Sequence, residues 1–153
     1  MGGFMKRIIA LVLLLSMIFI TSCSADADAR ELLLTFCNEY PMSVEILSSL
    51  ADEGEDGYVT DDVRAALFDG YDRLPDEYAL ALYGRVDTVM EAGVFITDSA
   101  DERMALYELL QKRIDLLSFL VDGEGFIKNY HGIFVYAFVG DRARAEKLFD
   151  AII

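Results

Sequence analysis

Apolar residues recur at helical spacing in four stretches of this 153-residue chain. The first stretch follows Asp28 and stops before Pro41, because the residue ahead of a proline disfavours helix. The third begins with a capping box, in which a serine and a glutamate three residues later satisfy each other's backbone N–H groups. The predicted helices run from near Asp28 to before Pro41, from Thr60 or Asp61 to Phe68 with Gly70 after it, from Ser99 to about Gly123, and from Asp141 to Ile152.

Alternating or continuous apolar runs elsewhere predict β-strands. Glu77–Tyr83 alternates large and small apolar residues, and Glu91–Thr97 is aromatic and β-branched. Gly125–Val139 predicts a hairpin that turns around Asn129–Gly132, and its second arm is apolar on both faces, as in an inner strand. The segment Met42–Leu50 fits a strand and a helix equally, and both alternatives stay open.

This order of helices and strands predicts an α+β fold. We expect a mostly antiparallel sheet of three to five strands with helices packed on one face. Residues 30–153 are expected to form a single α+β domain, since their number lies within the usual size of one domain.

The first 22 residues have the three-part layout of a bacterial export signal. Lys6 and Arg7 precede an apolar run of 13 residues, Ile8–Ile20, and small residues follow it. As a helix, this run would span roughly 20 Å, whereas a hydrocarbon core about 30 Å thick needs about 20 apolar residues. A cleaved leader of residues 1–22 therefore fits better than a permanent membrane span.

The end of the leader, Ile20-Thr21-Ser22-Cys23, resembles the lipobox of bacterial lipoproteins, in which the cysteine is acylated before cleavage in front of it. The resemblance implies that Cys23 is the lipid attachment site, with acyl chains such as palmitate, and that Lys6, Arg7 and Ile20–Ser22 direct processing. Residues 23–29 would then be a short acidic tether at the extracytoplasmic face of the cell membrane. An ordinary secretory signal with an incidental Cys23 and an uncleaved anchor stay open as alternatives.

Charge restricts the partners of the processed chain. Removal of the leader leaves 11 basic and 27 acidic side chains, a formal charge of −16. Nucleic-acid phosphates and anionic lipid headgroups repel such a surface. We therefore expect no nucleic-acid binding, and we expect the lipid anchor rather than electrostatic attraction to hold the domain at the membrane.

The acidic segment 52–62 is the strongest candidate for a ligand site. Its spacing resembles an EF-hand calcium loop, with Asp52 and Asp56 at loop positions one and five and a glycine at six. Positions three and twelve normally supply a side-chain oxygen and a bidentate carboxylate, but here they are Gly54 and Val63. We favour a solvated acidic loop that caps the following helix, with weak calcium or small-ligand binding as the alternative function.

Other residues with reactive side chains occur singly. His131 is the only histidine and lies in the predicted hairpin turn, which argues against a zinc site and against a Ser-His-Asp triad. Cys37 lies in an apolar stretch and is expected to be a small buried hydrophobe rather than a nucleophile. The abundant carboxylates permit a paired-carboxylate hydrolase, but no particular pair stands out. We expect no catalytic residues, no metal ligands and no cofactor.

Four features follow one another from Glu77 onward. They are a glutamate that introduces an apolar strand, a helix with a Lys-Arg-Ile motif, an aromatic hairpin and a capped terminal helix. They occupy Glu91–Ile96, Lys112–Ile114, Asn129–Tyr136 and Asp141–Ile152. Together with the lipobox, they resemble a family of small bacterial lipoproteins with a C-terminal domain of unknown function. That family has no established activity, so the resemblance brings no mechanism. We expect a non-enzymatic binding or envelope-interaction module whose protein or small-molecule partner is unknown.

Overall fold

A computed structural model of the chain describes residues 28–40, 42, 44–68, 74–85 and 88–153. Within these residues the chain forms four helices and five strands. In chain order they are α1 (Ala29–Glu39), β1 (Glu45–Ser48), α2 (Asp61–Leu67), β2 (Glu77–Arg85), β3 (Thr88–Ile96), α3 (Ala100–Leu120), β4 (Glu124–Tyr130), β5 (Ile133–Val139) and α4 (Arg142–Ile152).

Each helix begins at the polar residue that the sequence indicated. The side chains of Asp28, Thr60, Ser99 and Asp141 each accept a hydrogen bond from the backbone N–H three residues ahead. Such a bond satisfies a backbone donor that has no partner within the helix. The predicted N-termini are therefore confirmed. At the other end of α3, the helix stops at Leu120, three residues before the glycine expected to close it. Gly70, expected to follow α2, lies outside the described residues.

The five strands form one antiparallel sheet in the order β1-β2-β3-β5-β4. The two predicted strands and the hairpin are confirmed, with β2 and β3 both slightly longer than expected. The open segment Met42–Leu50 contributes β1, whose residues Glu45–Ser48 pair with Ala79–Leu82 of β2. An α+β fold with an antiparallel sheet is therefore the observed architecture.

Helices cover both faces of this sheet, which corrects the prediction of helices on one face. Alternate residues of β5 point to opposite sides. Phe134, Tyr136 and Phe138 join a cluster with Leu106, Leu110 and Ile114 of α3. On the other side of β5, Val135, Ala137 and Val139 join a second cluster. This cluster includes Phe36 of α1 and Phe149 of α4. The central strands are apolar on both sides, so each side needs its own cover.

The sheet has two ends, and α1 and α3 both start at the same one. Glu77 pairs with Ile96 at what we call the Glu77 end. Strand β5 starts beside Ile96 and finishes at Val139, which pairs with Glu124 at the opposite, Glu124 end. Helix α1 starts at the Glu77 end, where the Ala29 backbone N–H donates to Glu77 Oε1 at 2.9 Å. Helix α3 leaves β3 at that end and leads into β4 at the Glu124 end.

Candidate functional site

The predicted lipid acceptor Cys23 lies outside the described residues, as do Lys6, Arg7 and Ile20–Ser22. The first residue that the structure describes is Asp28, which is exposed and caps α1. Among the residues that the structure describes, no helix is both long enough and apolar enough to span a bilayer.

The acidic segment 52–62 forms a tight turn followed by α2. The Glu55 backbone N–H donates to Asp52 O at 3.0 Å, and Glu55 Oε2 accepts from the Asp52 N–H at 3.1 Å. Residues 52–56 are all exposed. Within the described parts of the chain, no group of three or more His, Cys, Asp or Glu side chains could hold a metal ion. The carboxylates of this loop therefore do not converge as they do in an EF-hand.

The two single reactive residues lie where the sequence placed them. His131 is exposed in the turn between β4 and β5, with a positive φ of 53°. Cys37 is buried in α1 with a free thiol. Burial raises the pKa of the Cys37 thiol from 9.0 to about 11. Because the thiolate is the nucleophilic form, a raised pKa makes this cysteine unreactive at neutral pH.

A buried charged network between α3 and the sheet escaped sequence analysis. Glu91 of β3 accepts from Arg113 of α3 through both of its carboxylate oxygens, and Nε of Arg113 lies 3.0 Å from Oε2. Tyr136 of β5 donates its hydroxyl to the same Oε2 at 2.6 Å. Each of these residues belongs to a segment that carried the family resemblance. A signal was present, because a glutamate in an otherwise apolar strand needs a buried partner.

The network is suited to fixing α3 on the sheet. The hydrogen bond to Glu91 raises the pKa of Arg113, which therefore stays charged. Burial, with the neighbouring Glu91 carboxylate, raises the pKa of Tyr136 well above 10. Among the described residues, every buried side-chain polar atom has a hydrogen-bond partner. Since all three groups are committed to one another, the arrangement favours a structural role over proton transfer.

Two open hollows lie near β1 and the acidic loop. One, of about 460 Å³, is lined by Ser49, Tyr58, Arg64 and Tyr78 among others. Arg64, the cation among its described lining residues, forms an ion pair with Asp61 of the same helix. The other, of about 610 Å³, lies between Asp28, Arg30 and the loop residues Gly54 to Asp56. Both have mainly polar walls, and the described residues that line them include no histidine and no cysteine.

The most conspicuous exposed feature is apolar and lies on the last turns of α3. Leu116, Phe119 and Leu120 are 48%, 87% and 61% exposed. Residues three and four apart on a helix are neighbours, so these side chains form one surface, which we call the α3 patch. Contiguous exposed apolar surface of this kind marks interaction sites in soluble domains. The patch lies at the Glu124 end of the sheet, remote from the start of α1.

No known protein family, curated protein or solved structure was found to match this chain. The resemblance to small bacterial lipoproteins therefore stays a prediction.

Proposed function

We propose that this chain is an exported lipoprotein, anchored through acyl chains on Cys23, whose folded domain acts as a non-enzymatic binding module at the extracytoplasmic face of the cell membrane. The observation that carries the proposal is the leader, in which two cations, a 13-residue apolar run and Ile20–Cys23 occur in the order of a lipoprotein signal. Two or more acyl chains hold a protein stably at a bilayer, whereas one chain holds it only marginally.

The start of the folded domain supports a short tether. Cys23 and Ala29 are six residues apart, which corresponds to at most roughly 20 Å of extended chain. Ala29 is held against Glu77 by a backbone hydrogen bond, so the Glu77 end of the sheet would face the bilayer. Asp28 and the acidic loop flank the same hollow at this end. Anionic headgroups repel these carboxylates, so retention would depend on the acyl chains.

Two features support binding rather than catalysis: a buried polar network without free groups and an exposed apolar surface. The buried Glu91–Arg113–Tyr136 network is closed by its own hydrogen bonds. The exposed α3 patch lies at the opposite end of the sheet from the tether, where a partner could reach it without approaching the bilayer. The three side chains of the α3 patch would then point away from the membrane.

The anchor is tested by metabolic labelling with an alkyne fatty acid in the producing cells. The wild-type protein should incorporate the label and stay with membranes, and Cys23→Ala should lose both properties. Cys37→Ala is the matched control, because it removes the other cysteine and should leave labelling unchanged. Mass spectrometry of the purified protein should show an N-terminus at an acylated Cys23.

The outcomes separate the alternatives. Equal labelling of wild type and Cys23→Ala would refute the anchor. A cleaved but unacylated protein that is released into the medium would indicate an ordinary secretory signal. A protein that keeps Met1 and stays in membranes would indicate an uncleaved anchor.

A further inference from the structure

The α3 patch continues a stripe that runs along the helix. Leu109, Lys112, Leu116 and Phe119 follow one another at alternating intervals of three and four residues, the spacing of the facing positions in a coiled coil. Leu109 is buried in the domain core, whereas Leu116 and Phe119 are exposed. The stripe therefore emerges from the domain surface toward the C-terminal end of α3.

One flank of this stripe is uniformly acidic. Three exposed carboxylates of α3 repeat at seven-residue intervals along it: Asp101, Glu108 and Asp115. Asp115 precedes Phe119 by four residues, so the two side chains are neighbours on the helix. A row with a seven-residue period stays beside a stripe with the same period instead of drifting away from it. The opposite flank turns inward at Arg113, whose side chain is only 15% exposed.

We infer that the exposed stripe of α3 binds an amphipathic helix of a partner protein, with apolar residues at i, i+3 or i+4 and i+7 and with lysine or arginine along one flank. Apolar residues of the partner would cover Leu116 and Phe119, and its cations would face the acidic row. Charges that flank an apolar helix seam select partner and orientation. The inference rests on the proposed function, because it names the class of partner for the proposed binding module.

Charge and position favour this occupant over a second copy and over a lipid surface. An antiparallel second copy would place its acidic row beside the row of the first molecule, and like charges at such flanks oppose pairing. A bilayer with anionic headgroups would meet the same carboxylates. The stripe also emerges at the Glu124 end of the sheet, whereas the tether would join at the Glu77 end.

The charge requirement is tested with two synthetic helical peptides on the full processed protein in neutral detergent. Both peptides carry the same leucine seam; one has lysine on its flank and the other glutamate. By fluorescence anisotropy, the lysine peptide should bind saturably and at least tenfold more tightly than the glutamate peptide. Leu116→Ser/Phe119→Ser and Glu108→Gln/Asp115→Asn should each weaken it at least tenfold. Leu34→Ser, at an exposed leucine on α1, is the matched control and should bind as wild type.

The natural partner is tested by placing a photo-crosslinking phenylalanine analogue at position 119 of the full chain in producing cells, with the same analogue at position 34 as control. A crosslink from position 119 to a segment with heptad-spaced apolar residues and a basic flank supports the inference. A crosslink to a second copy, to lipid or to an acidic segment overturns it, as does no crosslink. Equal binding of the two peptides, or unchanged binding by the patch variants, also overturns it.

Fatty-acid labelling in the same cells keeps the two proposals apart. Loss of the label with retention of the crosslink would refute the lipid anchor and leave the docking surface standing. Retention of the label without any crosslink would refute the docking surface alone. Each variant should keep the melting temperature of the wild type, since the substituted side chains are exposed.

Discussion

Removal of the Arg113 cation is the sharpest test of how the domain is held together. Arg113→Met keeps much of the aliphatic side chain but leaves the Glu91 carboxylate without its counter-charge. The two side chains are 15% and 4% exposed, and breaking a buried ion pair by removing one partner costs about 3–5 kcal/mol. Tyr136 would still donate to the carboxylate, which offsets part of the loss. We therefore expect a destabilisation of about 3 kcal/mol at pH 7.

Such a loss is large for a domain of this size, since total stabilities are about 5–15 kcal/mol. Urea denaturation followed by circular dichroism should show a lower midpoint with an unchanged slope. Lys112→Met is the matched control, because it removes the same charge from the neighbouring, exposed position and should change stability by less than about 0.5 kcal/mol. Glu91→Gln/Arg113→Met should be more stable than Arg113→Met alone, because no uncompensated buried charge remains.

Two results would refute this reasoning. Equal stability of Arg113→Met and Lys112→Met would mean that the buried ion pair does not hold α3 on the sheet. A double variant no more stable than Arg113→Met alone would mean that the loss arises from side-chain packing rather than from the stranded Glu91 charge.

The remaining predictions concern a phenol, a thiol, a turn and the acidic loop. Because the pKa of Tyr136 is raised, its neutral phenol stabilises the fold fully below pH 10 and progressively less above it. Tyr136→Phe should therefore reduce the loss of stability at alkaline pH, as measured by urea denaturation at a series of pH values. The pKa of the buried Cys37 thiol is raised from 9.0 to about 11, so its stabilising contribution should disappear between those pH values, and Ellman's reagent should label it rapidly only after unfolding. Gly57→Ala should lower the melting temperature of the domain more than Gly54→Ala does. Both glycines have positive φ, but only at Gly57 would an added Cβ meet the backbone, at 2.5 Å from Ile46 O. Equal losses would show that φ alone decides. Millimolar calcium should leave the melting temperature unchanged, since the loop carboxylates do not converge; a rise that depends on the loop acids would contradict this.

The predictable parts of the fold depend on residues close together in the chain. Ser99 caps α3 through a hydrogen bond to a residue three positions away, and the β4–β5 hairpin turns at His131 and Gly132 as the sequence indicated. The segment around β1 could not be assigned, because its four residues are a strand only through pairing with β2.

For the candidate binding surface, too, the sequence shows one part and only the tertiary structure shows the other. The heptad-spaced row of carboxylates on α3 can be read directly from the sequence, but only the tertiary structure shows which apolar residues of that helix are left uncovered. Phe119 is exposed while Leu117, two positions earlier, is buried. The difference arises from where the sheet lies against the helix.

Sequence alone determined the local structure of the described residues, namely the helix starts and the hairpin. Tertiary structure alone decided that helices cover both faces of the sheet and that Glu91 meets Arg113 and Tyr136, which are 22 and 45 residues away. Caps and turns are set by hydrogen bonds over three or four residues and therefore leave a local pattern. A buried charge requires a partner but not at any fixed spacing, so its partner is known only once the chain has folded.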